Sequence, residues 1–283
     1  SYQAWNAMAN QTANFIKGTC DCQKGDRIAI LATNCVEYLN VVFACNKLGI
    51  VLQNLNWRLA VPELEQLIKD VKPLMMFYSS EFAETVHTIK QRADVEIEKW
   101  VAFDKKAQES DIPYSETYKH PESSPPSPDL QGHDPWLLCY TGGTTGLPKA
   151  CIHTYTNVAA NAVNTLVSWE LSSKDCAILN APLFHTGGLH VFTTPLVYAG
   201  GTSIVCQAFD VDQTFDLVDE KRVTVFFGIP TMFVMMQNHP RWEKTRFDHM
   251  KFVIAGGAPC PETISQAFWK KNVDFKTGYG MTE

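Results

Sequence analysis

Apolar residues in this chain come in short unbroken runs, separated by stretches that carry an apolar position every third or fourth residue. A run such as Arg27-Ile28-Ala29-Ile30-Leu31 suits a strand buried on both faces of a sheet, and the intervening stretches suit helices. The pattern predicts an amphipathic helix over 2–17, with Trp5, Met8, Ala9, Phe15 and Ile16 on or near one face. A strand at 27–31 follows, then a helix over 35–48 stopped by Gly49, a strand at 50–52 and a helix over 62–70 opened by Pro62. A strand at 74–78, a helix over 81–92 and a strand at 99–103 continue the alternation. Strands alternating with helices of about ten or more residues mean βαβ units and a mostly parallel sheet.

Residues 107–134 break the rhythm. Prolines 113, 121, 125, 126 and 128 stand among serines with few apolar residues, which reads as a linker or surface excursion. The boundary expected there divides the chain into a first α/β subdomain over 1–130 and a second over 131–283. The second begins with a strand at 136–140 and carries a helix over 155–169, where Val158, Ala162, Leu166 and Trp169 form one stripe. Strands at 176–179, 202–205, 223–227, 253–255 and 273–276 then alternate with helical segments over 189–199, 211–221, 231–238 and 261–270.

The strand Trp136-Leu137-Leu138-Cys139-Tyr140 runs into Thr141-Gly142-Gly143-Thr144-Thr145-Gly146-Leu147-Pro148-Lys149, which holds three glycines, three threonines, a proline and a lysine. Glycine turns backbone N–H groups towards one point without steric cost, and three hydroxyls with an ammonium add donors for a polyphosphate. A Gly/Thr-rich surface turn is the plainer alternative, although most connections need only about two to six residues. The loop is not a Walker A motif, because Gly146 is followed by Leu147-Pro148-Lys149-Ala150.

Three further glycine-bearing loops, 181–188, 256–259 and 277–283, also follow strands. In open parallel sheets, ligands lie beyond the carboxyl ends of strands, so these loops are expected to build one site. In the last loop a threonine hydroxyl can donate to a phosphate oxygen and Glu283 can hold Mg²⁺, while Tyr279 offers a flat face to a purine. Glu283 can equally be a solvated residue, and His185, beside Phe184, can be packed and neutral.

Tyr140 to Lys149, YTGGTTGLPK, resembles the phosphate-loop signature of the adenylate-forming superfamily, which includes acyl-CoA synthetases, luciferases and peptide-synthetase adenylation domains. Gly142 and Ala150 depart from its usual serine and glycine. The segment from Lys47 to Tyr78, GYGMTE at the end, AGGAP at 255–259 and PLFHTGG at 182–188 are similar to other stretches of the same superfamily. The resemblance implies two stacked, mostly parallel sheets flanked by helices, as in the N-terminal region of acetyl-CoA synthetase. It implies ATP held by Thr141, Gly142, Gly143, Thr144, Thr145, Gly146 and Lys149, with adenine between Tyr279 and the Gly257-Ala258-Pro259 wall, beside Gly278 and Gly280. Thr282 would meet the α-phosphate, Glu283 would bind Mg²⁺, and His185 would stand between phosphates and acid. Phe227, Gly228, Pro230, Met232 and Gly256 would line the acyl pocket; plain core remains the alternative reading for Phe226.

The reaction implied is attack by a carboxylate, expected to be a fatty acid, on the α-phosphorus of ATP, followed by thioester formation with CoA. A module without catalysis, or an adenylation domain loading a carrier protein, stays open. Family members continue with a small β-barrel and a mobile C-terminal domain, so the 283 residues are expected to be the N-terminal part of a larger synthetase.

Bulk properties agree with a globular chain: 45% hydrophobic, 19% charged and a net charge of −6. Lys105-Lys106 and Lys270-Lys271 are isolated pairs, so no nucleic-acid footprint is expected. Nine cysteines without a C-x-x-C pair point to a reducing compartment rather than a disulfide framework or zinc site, and His133 and His153 stand apart in the sequence. With no apolar run near about 18 residues and no leader visible, the cytoplasm is the expected location. A homodimer is allowed.

Overall fold

The computed structural model describes residues 1–283 except 93, 105–108, 143–145 and 221. Two sheets carry the architecture, as the α/β reading requires. The packing divides the chain into two compact units, Ser1–Val158 with Thr282–Glu283, and Ala159–Met281. Residues 131–158, grouped above with the second subdomain, belong to the first of these units.

The first unit opens with α1 (Tyr2–Cys20), β1 (Arg27–Leu31), α2 (Val36–Leu48), β2 (Val51–Asn54), α3 (Val61–Val71) and β3 (Met75–Tyr78). It continues with α4 (Ala83–Lys90), β4 (Lys99–Ala102), β5 (Ile112–Pro113), β6 (Pro135–Thr141) and β7 (Lys149–Thr154). The sheet order is β5-β4-β3-β1-β2-β6-β7, parallel throughout except for the β6–β7 hairpin. Strands β2 and β3 are buried along their whole length, and the apolar runs register with one another, Ile28 beside Met75 and Leu52 beside Leu137. Gly49 ends α2 at φ 69°, a left-handed conformation that costs glycine little, and its N–H returns to Cys45 O.

The proline-rich stretch is docked rather than free. Asn10 donates to Glu122 O, Gln11 to Tyr118 O, and Asn14 to Pro121 O and Ser123 O. Tyr114, 2% exposed, hydrogen-bonds Thr12 and Asn40. A segment without ladder partners still has carbonyls to satisfy, and one polar face of α1 satisfies them.

Helix α5 (Tyr155–Ser168) leads into the second unit, with β8 (Cys176–Leu179), α6 (Thr186–Gly188), a π-helical turn at 189–193, α7 (Thr194–Ala199) and β9 (Thr202–Val205). Then come α8 (Val211–Asp219), β10 (Val225–Gly228), α9 (Pro230–Gln237), β11 (Phe252–Ala255), α10 (Glu262–Trp269) and β12 (Phe275–Thr277). Its sheet, β12-β11-β10-β8-β9, is parallel throughout. Phe226, Phe233, Phe268 and Phe275 form edge-on and tilted ring contacts at its centre. Among the described residues no helix is long and apolar enough to cross a membrane.

Candidate functional site

In the first unit the phosphate-type loop is the turn of the β6–β7 hairpin. Thr141 and Lys149 are its last paired residues, and the Thr141 hydroxyl donates to Lys149 O at 3.3 Å. Gly142, Gly146, Leu147 and Lys149 are exposed; Gly143, Thr144 and Thr145 lie outside the described residues. Gly146 sits at φ 113° with open space where a Cβ would go, so its backbone, not its surroundings, requires glycine.

Directly opposed residues of an antiparallel pair share a face, and alternate residues along each strand share it too. Thr141 and Lys149, Cys139 and Cys151, and Leu137 and His153 therefore line one side of the hairpin. The end of the chain lies on this side. His153 Nε2 is 2.7 Å from Thr282 O, and since a carbonyl only accepts, the ring N–H donates. Burial and the charge of Glu283 together raise the Cys151 thiol, which puts the carboxylate near a residue two positions from Lys149. That separation is about 7 Å along a strand. Thr141, Lys149, Thr282 and Glu283 are thus gathered within one unit.

The second unit brings its own set together. All five strands run the same way, so the segments after β8, β10, β11 and β12 leave from one edge of the sheet. Gly256 N–H donates to Gly228 O and Gly278 N–H to Ala255 O, extending the ladder to the bases of these loops. His185 caps α6, its Nδ1 accepting from Gly187 N–H at 3.0 Å, which leaves the ring proton on Nε2 for the neutral form. A Cβ on Gly188 would meet Pro182 O at 2.2 Å, so only glycine closes the turn behind His185.

The Phe227 ring lies between two loops: a Cβ on Gly187 would sit 3.4 Å from it, and one on Gly256 3.1 Å. Pro230 starts α9 and is buried, while Met232, two residues on, accepts from Asn180 at 3.9 Å. Gly257 adopts φ 79°, Ala258 and Pro259 are exposed, and the 91% exposed Tyr279 presents its ring to solvent beside Gly278 and Gly280.

Sequence reasoning passed over β7 and His153. A period-two signal was present, since Cys151 and His153 are the more buried positions and Ala150 and Ile152 are exposed. His153 is also less isolated than its place in the sequence suggests, because its ring nitrogen and Cys139 Sγ lie within 4.8 Å of each other.

An α/β architecture with parallel sheets and glycine-rich segments at strand ends defines a class of ligand-binding proteins. Within that class the chain belongs to the AMP-binding enzyme family, whose model matches residues 1–283. It is 36% identical over 259 residues to a feruloyl-CoA synthase of Amycolatopsis sp, covering 92% of this chain and 50% of that protein. It is 29% identical over 287 residues to the long-chain-fatty-acid–CoA ligase FadD13 of Mycobacterium tuberculosis, covering 100% of this chain and 55% of that one. Among solved structures, the inhibitor-bound N-terminal domain of FACL13 from Mycobacterium tuberculosis superposes with a TM-score of 0.91 at 28% identity, covering 100% of this chain and 69% of that chain. The chain spans about half the length of the curated relatives it matches.

Proposed function

We propose that the chain carries the ATP- and acid-binding part of an AMP-forming acid–CoA ligase. The observation that supports this most is that Thr282 O is bonded by His153 of the β6–β7 hairpin, in the same unit as Thr141, Lys149 and Glu283. A carboxylate substrate is already ionised at neutral pH, so activation needs no base. Two anions must be brought together instead, and positioning with charge neutralisation does that. Lys149, the loop N–H groups from Gly142 to Gly146 and the hydroxyls of Thr141, Thr144, Thr145 and Thr282 serve the phosphates.

One exposed carboxylate, Glu283, close to a phosphate-type hairpin fits Mg²⁺, which commonly takes one or two protein carboxylates and fills its remaining positions with phosphate oxygens and water. When bound, the ion would be held by Glu283 and would offset the negative charge of the phosphates. Tyr279 stacks on adenine against Gly257, Ala258 and Pro259, with Gly278 and Gly280 leaving room at its sides. His185, held by Gly187, orients the carboxylate. Phe227, Gly228, Pro230, Met232 and Gly256 receive the acid's body, and CoA then takes the acyl group.

A fatty acid is the expected substrate. The similarity to a feruloyl-CoA synthase favours a second reading, an aryl-substituted acid facing the Phe227 ring. The free cysteines agree with a reducing compartment such as the cytoplasm, and a homodimer is tested by light scattering. The deciding experiment is acid-dependent AMP release and CoA-thioester formation by the full-length protein, screened across acetate, medium-chain, long-chain and aryl acids. Thioester formation with one class identifies the substrate; no AMP release with any acid overturns the reading.

A further inference from the structure

Strand β7 is mostly open to solvent, yet one of its polar residues is buried. His153 is 7% exposed beside an Ile152 that is 59% exposed. Burying an imidazole is costly without a hydrogen bond, and this one bonds a residue 129 positions away, Thr282. The ring therefore fixes the main chain directly before Glu283. Cys151, whose thiol senses the Glu283 charge, and Lys149, where the strand begins, lie on the same side of the hairpin. None of the motifs that mark the family's chemistry in this chain includes His153.

We propose that His153 is a positioning residue for adenylation: its Nε2–H bond to Thr282 O holds the Thr282–Glu283 pair on β7, the strand that starts at Lys149. The inference rests on the adenylation reading above and adds a residue to it. A placement error of about 1 Å in a reacting assembly costs on the order of a hundredfold in rate. Loss of an outer partner that orients a metal ligand typically costs about ten- to a hundredfold in metal affinity.

The test uses the full-length protein and carboxylate-dependent ATP–pyrophosphate exchange, comparing His153→Leu with His153→Gln, which keeps an N–H donor. His153→Leu should lower the exchange rate by roughly ten- to a hundredfold and raise the half-saturating Mg²⁺ concentration by about tenfold, with KM for the acid unchanged. His153→Gln should recover most of both. Near-ultraviolet circular dichroism on the same samples verifies that each variant is folded. Wild-type exchange with an unaffected Leu variant, or equal losses in Leu and Gln, overturns the role of His153 alone. A wild type without exchange overturns the adenylation reading, and this proposal with it.

Discussion

Eight of the nine cysteines have thiols raised above the ordinary value, mostly by burial, with Cys35 and Cys139 each pushed up to about 12. Cys20 is the exception: a hydrogen bond from Cys22 lowers its thiol, and the residue is partly exposed. Thiolates are the reactive form, so Cys20 should be alkylated first by iodoacetamide at mildly alkaline pH, read by peptide mass spectrometry. Earlier modification of Cys35 would contradict this. Asp111 makes a second residue-scale case. Its side chain is 1% exposed, accepts from the Tyr78 hydroxyl at 2.5 Å and pairs with Lys90. Asp111→Ala should cost about 3–5 kcal/mol in urea denaturation, because breaking a buried pair strands the remaining charge, and Asp111→Asn should cost less. Equal stability of wild type and Asp111→Ala would refute it. Such partnerships were not legible in the sequence. Lys149 and Thr141 stand out by composition, whereas Asp111 and His153 matter only through residues that chain order keeps far apart.

At the scale of elements, the strands and helices that pack a strongly apolar stripe were legible, β1 and β8 to the residue. Helix ends were less so: α1 runs on to Cys20, past the predicted end at residue 17, and stops where Asp21 turns left-handed at φ 48°. The proline-rich stretch read as a linker because prolines and serines supply no periodic signal, and its anchors sit on another element. Replacing Asn10 and Asn14 together with alanine should therefore increase proteolysis within 118–128 while leaving most of the fold intact, as gel mapping would show. Cleavage at the wild-type rate would mean the anchors are dispensable. Strand β7 escaped notice because its six residues alternate too briefly to outweigh the glycine-rich loop before them and α5 after them. The turn between its two strands makes its own prediction. At φ 113°, Gly146→Ala forces a conformation costing an ordinary residue about 1–3 kcal/mol, in an exposed loop. ATP binding followed by calorimetry should weaken several-fold with little change in melting temperature; unchanged affinity would separate the loop from the phosphates.

For the molecule as a whole, the alternation of short apolar runs with helices was enough to anticipate α/β architecture and parallel sheets, since only crossover connections join such strands. It could not show that Thr282 and Glu283 pack with the first unit while Tyr279 to Met281 belong to the second. Long-range packing decides that, and no local pattern encodes it. Nor does any motif state the acid: relatives named for a feruloyl and for a long-chain fatty acyl product both align over most of this chain. The central claim is that Glu283, next in the chain to the Thr282 that His153 of β7 bonds, serves the activation of a carboxylate by ATP. Carboxylate-dependent ATP–pyrophosphate exchange in the full-length protein, wild type against Glu283→Gln, tests it most directly. The account predicts robust exchange in the wild type and loss of most of it in the variant; exchange that persists undiminished in Glu283→Gln would contradict it.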